Sequence, residues 1–337
     1  MKATRIAALL LTLALLGSLC APAAAMGHSA RACVLMDADT GTIVYAQNGD
    51  ETHLIASTTK IMTALVVLQS CDLEAVMTVP PEAQGVEGSS MYLRAGEELT
   101  ARDLLYGLML HSGNDAAVAL AIHCAGSVAS FVELMNRTAS ELGLSNTHFA
   151  NAHGLDDEQN YSSARDLAEL TRFALQNETF AQIVSAKAVT VAGGRALQNH
   201  NKLLWRMEGC VGVKTGYTKA AGRILVSAAR RGGRGLICVT IRDPNDWEDH
   251  LALMDAGFAQ YEQKILAQAG QPLQQRLAAR PLICQSDLSW PVLPGEKLQY
   301  SYDPTGAFPS AYRGSAAGRV LVYVGDRLVG AVEVCWG

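Results

Sequence analysis

The chain has 337 residues, of which 27 are Lys or Arg and 32 Asp or Glu, for a net charge of −5; 49% are hydrophobic and 18% charged. That length supports a large core and two domains, and that balance excludes a disordered chain. Nucleic acid is excluded as a partner for want of a basic stripe, since the one basic cluster, Arg230–Arg234, sits at a turn between strand-like runs.

Residues 1–25 open with Lys2 and Arg5, continue as an apolar run from Ile6 to Leu19 and close on Ala23, Ala24 and Ala25. A basic start, an apolar stretch and small residues describe a signal peptide, so an exported, extracytoplasmic protein is expected. Leu19 is bulky where a lipid-bearing Cys20 would need a small neighbour. Next, 32–47 reads strand, turn, strand, with Asp-Thr-Gly as the hairpin signal. In 53–69 the apolar positions Ile61, Met62, Leu65, Val66 and Leu68 follow a 3.6-residue period and predict a helix. Ser57 stands where that helix would be N-capped, and Lys60, three residues on, shares its face.

Thr100 and Asp103 form a capping-box pattern before two apolar helices that break at His111-Ser-Gly-Asn-Asp115. Helical patterns follow over 130–144 and 163–177, separated by a polar loop, 151–161. Strands are predicted around 211–213, in 222–230 and in 235–242, then a helix over about 246–268. After Gly270 prolines punctuate short alternating runs, and 319–334 reads as a hairpin turning at Gly325-Asp326. The expected layout is a signal peptide (1–25), a mixed α/β domain (28–268) and a small all-β domain (271–337). No amphipathic membrane-anchoring helix is expected at the C-terminus, where the pattern alternates as strands.

Seven cysteines follow the leader, with no C-x-x-C pair; they read as mostly unpaired, buried thiols rather than metal ligands. No His-Glu metal motif occurs, so neither a metal nor any other cofactor is called for. His153 and His200 are candidate contacts to a bound molecule or water, although a structural role is the commoner use of histidine, and His111 suits packing beside Ser112.

Three motifs carry the chemistry. Ser57-Thr-Thr-Lys60 is S-x-x-K, Ser112-Gly-Asn114 is S-x-N, and Lys214-Thr215-Gly216 is K-T-G; each occurs once, in this order. Together they are the signature type of penicillin-binding proteins and class A β-lactamases. The stretch 32–261, including ASTTKIMTALV, MLHSGNDAA and VGVKTGYTKAAGR, resembles the low-molecular-mass penicillin-binding proteins of the D-alanyl-D-alanine carboxypeptidase kind. The resemblance implies a β-lactamase/transpeptidase-like fold, an antiparallel sheet flanked by helices plus a helical region, followed by a β domain. It implies a serine peptidase that removes the terminal D-alanine from the peptidoglycan pentapeptide, with β-lactams as covalent inhibitors.

In that reading Ser57 is the acyl-ester nucleophile, Lys60 its general base and Ser112 a proton relay. Asn114, Lys214, Thr215 and Gly216 bind substrate, and the Tyr217 backbone N–H joins that of Ser57 as an oxyanion hole. The chemistry requires a neutral Lys60, which burial and a second cation at Lys214 would favour. A secreted serine β-lactamase is the nearest alternative, but its deacylating glutamate has no counterpart in NAHGLDDEQNYSSA. A non-catalytic wall-binding scaffold on the same fold is the other, and the three intact motifs argue against it. Transpeptidase or endopeptidase action on the same bond remains open.

Overall fold

The computed structural model describes residues 26–304 and 314–337; the expected signal peptide lies outside them. Strand β1 (Ala32–Asp37) turns through Asp-Thr-Gly into β2 (Ile43–Gln47), as the hairpin signal requires. Helix α1 (Lys60–Ser70) follows a 3₁₀ turn at Ala56–Thr59. Next come α2 (Ala101–Leu110), α3 (Asn114–Ala125) and α4 (Val128–Glu141). Thr100 Oγ1 accepts from Asp103 N at 3.1 Å, which closes the expected cap on α2. Helix α3 is apolar on nearly all sides and runs through the interior of the helical region, touching α1, α2 and α4. Helices α5 (Ala164–Ala174) and α6 (Glu178–Ser185) lead back to the sheet.

The sheet is completed by β3 (Cys210–Thr218), β4 (Gly222–Arg231) and β5 (Arg234–Ile241). Its order is β2-β1-β5-β4-β3, antiparallel throughout, so the strand bearing Lys-Thr-Gly lies at an open edge. Both faces are covered. Val34, Met36, Val226 and Val239 face the helical core, while Leu35, Leu225 and Cys238 face α7 (Asp246–Phe258). Double coverage explains why β5 is apolar almost without a break: every one of its residues is buried.

Helix α7 ends at Phe258, short of the expected 268. Residues Glu262–Ala267 instead form strand β6, which pairs with β8 (Leu288–Val292), so the all-β region takes in residues from 262 rather than from 271. Ile265 is exposed while Leu266 and Ala267 are both buried, so the strand's alternation is broken at the register shift between Ile265 and Ala267 and leaves no clean period of two in the sequence. Strand β7 (Leu282–Cys284) joins β9 (Leu298–Asp303), β10 (Ala316–Val324) and β11 (Arg327–Trp336) in a four-stranded sheet of order β7-β11-β10-β9. This region has its own core around Val320, Val322, Val332 and Trp336.

Charge fastens the two parts. Buried Arg234 pairs with Asp37 and donates to Glu296 Oε1 at 2.7 Å, and the Tyr261 hydroxyl donates to Asp37 at 2.5 Å. Asp39 takes Arg230 at 2.9 Å from the five-stranded sheet and Arg327 from β11. Cys71 and Cys124 form a disulfide between the end of α1 and the end of α3. That corrects the expectation of unpaired thiols at these two positions; Cys33, Cys210, Cys238, Cys284 and Cys335 are free. The two bridged positions are distant in sequence but both end helices, a proximity that only the packing of α1 on α3 creates. Among the described residues no single helix is long and apolar enough to cross a membrane.

Candidate active site

Ser57 sits in the 3₁₀ turn ahead of α1, directly after Ala56, whose φ of +46° is a left-handed conformation that alanine adopts only under constraint. The expected N-cap is absent: Ser57 makes no capping bond, and neither does Thr59 at the start of α1. The hydroxyl faces Lys60 instead, with Nζ at 3.0 Å from Ser57 Oγ. Lys60 is fully buried, its amine also held by Asn114 Oδ1 at 2.7 Å and by the His153 carbonyl. Burial and, next, the charge of Lys214 hold its pKa well below the ordinary lysine value, against a smaller opposing pull from Asp115. The ammonium form is therefore disfavoured relative to that of an ordinary lysine, and the amine stands within hydrogen-bond reach of the Ser57 hydroxyl.

Lys214 is buried too, and desolvation lowers its pKa to about 7. Its Nζ donates to Thr215 O at 3.0 Å. Ser112 occupies the break between α2 and α3 with φ +60°, and its Oγ is buried without a hydrogen-bond partner. Strain and a buried unpaired hydroxyl each cost stability, and features of this kind cluster at functional sites. Asn114 opens α3 and bridges Lys60 to the loop at 87–93, donating through Nδ2 to Glu87 O at 2.6 Å.

The sequence reading missed the residue that fixes this loop. Asp115, fully buried, accepts from Ser90 Oγ at 2.6 Å and from the Met91 and Leu93 amides, both at 3.0 Å. It stands next to S-x-N, yet nothing local marks it, because its partners lie more than twenty residues upstream. His153 meets Lys60 through its carbonyl, while its ring accepts from Leu155 N at 3.2 Å and is held near a pKa of about 4 by burial and by Lys60.

Gly216 on β3 lies tight against the 3₁₀ turn: a Cβ there would meet Ile55 O at 3.2 Å and Thr58 N at 3.3 Å. The absent side chain lets Ser57 and the β3 edge close on one cleft. That cleft, about 310 Å³, is lined by Ser57, Ser89, Ser112, His200, Thr215, Gly216 and Tyr217, together with Arg223, which pairs across the sheet with Tyr217, and Asp246 and Trp247. All three motifs thus converge, and Ser89, Arg223, Asp246 and Trp247 are additions that no motif announced. His200 lines the cleft, and His111 packs on it with ring centroids 5.1 Å apart.

Residues 20–245 match the family model described as D-alanyl-D-alanine carboxypeptidase, peptidase S11. The chain belongs to the D-alanyl-D-alanine carboxypeptidase family. It is 35% identical over 249 residues to D-alanyl-D-alanine carboxypeptidase DacF of Bacillus subtilis, covering 70% of this chain and 64% of the relative. It is 41% identical over 221 residues to DacD of Escherichia coli, covering 62% and 57%. The chain thus spans about 60% of the length of these relatives, 64% and 57%. The crystal structure of penicillin-binding protein 6B from Escherichia coli superposes with a TM-score of 0.69 at 32% identity, covering 91% of this chain and 95% of that one. That coverage extends the family likeness into the C-terminal β region.

Proposed function

We propose that the chain is a serine-type D-alanyl-D-alanine carboxypeptidase of the cell envelope, acting on peptidoglycan stem peptides that end in D-Ala-D-Ala. The observation that carries this reading is the 3.0 Å approach of a buried, weakly basic Lys60 amine to Ser57 Oγ. Lys60 takes the serine proton as Ser57 attacks the penultimate carbonyl, and the developing oxyanion is received by the Ser57 and Tyr217 N–H groups. Ser112, its hydroxyl otherwise unpaired, passes a proton to the departing D-alanine amine. Lys214 and Thr215 hold the terminal carboxylate, while Asn114 aligns both the substrate amide and Lys60. Water then hydrolyses the ester.

A β-lactam acylates the same serine, but its leaving amine stays tethered and blocks that water. Rapid escape would need a dedicated base. The only carboxylate lining the cleft among the described residues is Asp246, which Arg223 engages at 2.7 and 2.8 Å. This separates the chain from the β-lactamase alternative. The test has two parts. Incubation with a peptide ending in D-Ala-D-Ala is expected to release free D-alanine, and a fluorescent penicillin to label Ser57 and no other residue. After excess penicillin is removed, D-alanine release is expected to stay suppressed for minutes or longer. Label elsewhere, activity surviving in Ser57→Ala, or recovery within seconds contradicts the reading.

A further inference from the structure

The cleft does not end at Tyr217. A second groove of about 410 Å³ continues from it, sharing Tyr217 and Arg223 and lined further by Lys219, Gly222, Arg242 and Asp243. Its charges are unequal in their commitments. Arg223 is tied to Asp246, and Asp243 accepts from Ser29 Oγ at 2.7 Å and from Asn245 N at 3.2 Å. Lys219 and Arg242 are exposed, and neither is ion-paired among the described residues. Arg242 is nonetheless placed with care. Its φ is +52°, a strained value for a non-glycine residue, and its Nη2 is pinned by Ala220 O at 2.7 Å. In a chain of net charge −5, Lys219 and Arg242 give this groove more cations than its one carboxylate, Asp243, balances, although the exposed Asp156 accepts from Thr218 Oγ1 beside it.

The direction of β3 says what would meet them. β3 is an edge strand, and a peptide adding to an edge antiparallel runs opposite to it. With the scissile carbonyl at the Tyr217 N–H and the terminal carboxylate toward Thr215 and Lys214, the residues upstream of the cut pass Thr218 and reach Lys219. Resting on the carboxypeptidase reading above, we propose that this groove is a carboxylate-binding subsite, in which Lys219 and Arg242 receive an acidic group two residues upstream of the acylating D-alanine.

Two peptides ending in D-Ala-D-Ala test this, identical except that the carboxylate two residues upstream is free in one and amidated in the other. Wild type is expected to favour the acidic peptide in kcat/KM by about five- to tenfold at low ionic strength, with the ratio shrinking as salt is added. In the double variant Lys219→Gln/Arg242→Gln the ratio is expected to fall to near one, and in Lys219→Arg to persist, because the charge remains. A wild-type ratio near one, or an unchanged ratio in the double variant, overturns the subsite while D-alanine release still upholds the enzyme. Release from neither peptide would instead bring down the carboxypeptidase reading, and the subsite with it.

Discussion

Lys60 and Lys214 are two amines kept in a place where ammonium ions are disfavoured, and both activity and stability should register it. Acylation by penicillin is expected to rise with pH along a limb lying well below the titration of an ordinary lysine, because Lys60 must be neutral to accept a proton. Lys60→Arg, which cannot deprotonate, should lose about 10²–10⁴-fold in acylation rate; a variant that acylates like wild type would place the base elsewhere. Lys214 bears on stability. Its folded pKa of about 7 lies below the unfolded value of about 10.4, so between these pH values only the unfolded chain binds the proton. Stability should therefore rise with pH across that window through this residue. Lys214→Met, inactive but free of this burden, is expected to be more stable than wild type near pH 7, with the advantage narrowing toward pH 10. Urea unfolding of both proteins at the two pH values measures the gap, and a gap that widens with pH would reverse the sign. At this scale the sequence was highly legible where contacts are local, as in Ser57 and Lys60. Asp115 was not, because its partners are set by the fold of the 87–93 loop.

Among the elements, the turn around Gly154 and the 3₁₀ turn at Ser57 depend on each other. Gly154 has φ +89°, and a Cβ added there would overlap the Ala56 carbonyl. Thr63 Oγ1 donates to Ala152 O at 2.6 Å, and Asn160 Nδ2 to Thr59 Oγ1 at 2.9 Å, so the same loop is fastened to α1 on one side of the glycine and to the end of the 3₁₀ turn on the other. Gly154→Ala should thus cost about 3 kcal/mol or more in stability and slow acylation by shifting Ser57. Thermal unfolding and penicillin labelling check the two effects, and a variant within 1 kcal/mol of wild type would mean that the loop yields freely. Element types were readable where one face is buried, as in α5 or the β1–β2 hairpin. They failed at 262–267, where the half-polar EQKILA follows a helix with no turn signal between and finds its partner strand only some twenty-five residues ahead.

For the whole molecule, the C-terminal β region has its own core and meets the catalytic sheet through the Arg234 and Arg327 ion pairs. All three sequence motifs precede it. A chain ending at Tyr261 keeps the Tyr261–Asp37 hydrogen bond and is expected to bind penicillin at Ser57, with a lower Tm since Arg234 loses Glu296. A folded truncation that fails to bind penicillin would show that the β region shapes the cleft. The division into two regions was visible in the change of texture after Gly270, whereas their ion-paired seam was not, since its members are scattered between Asp37 and Arg327. The sheet order has a further consequence, for the time course of folding. Helices α1 to α4 and the disulfide between them come from one continuous segment, while β1 must wait for β5, with Ala32 opposite Ile241. Helical contacts of short span form quickly, and pairings across two hundred residues form slowly. A chain emerging from its N-terminus would therefore carry Ser57, Lys60 and Ser112 in a nearly finished helical body while β1 and β2 still lacked their neighbours. Catalytic competence would arrive late and abruptly, when the last three strands of the sheet slot in and bring Lys214 to the waiting serine.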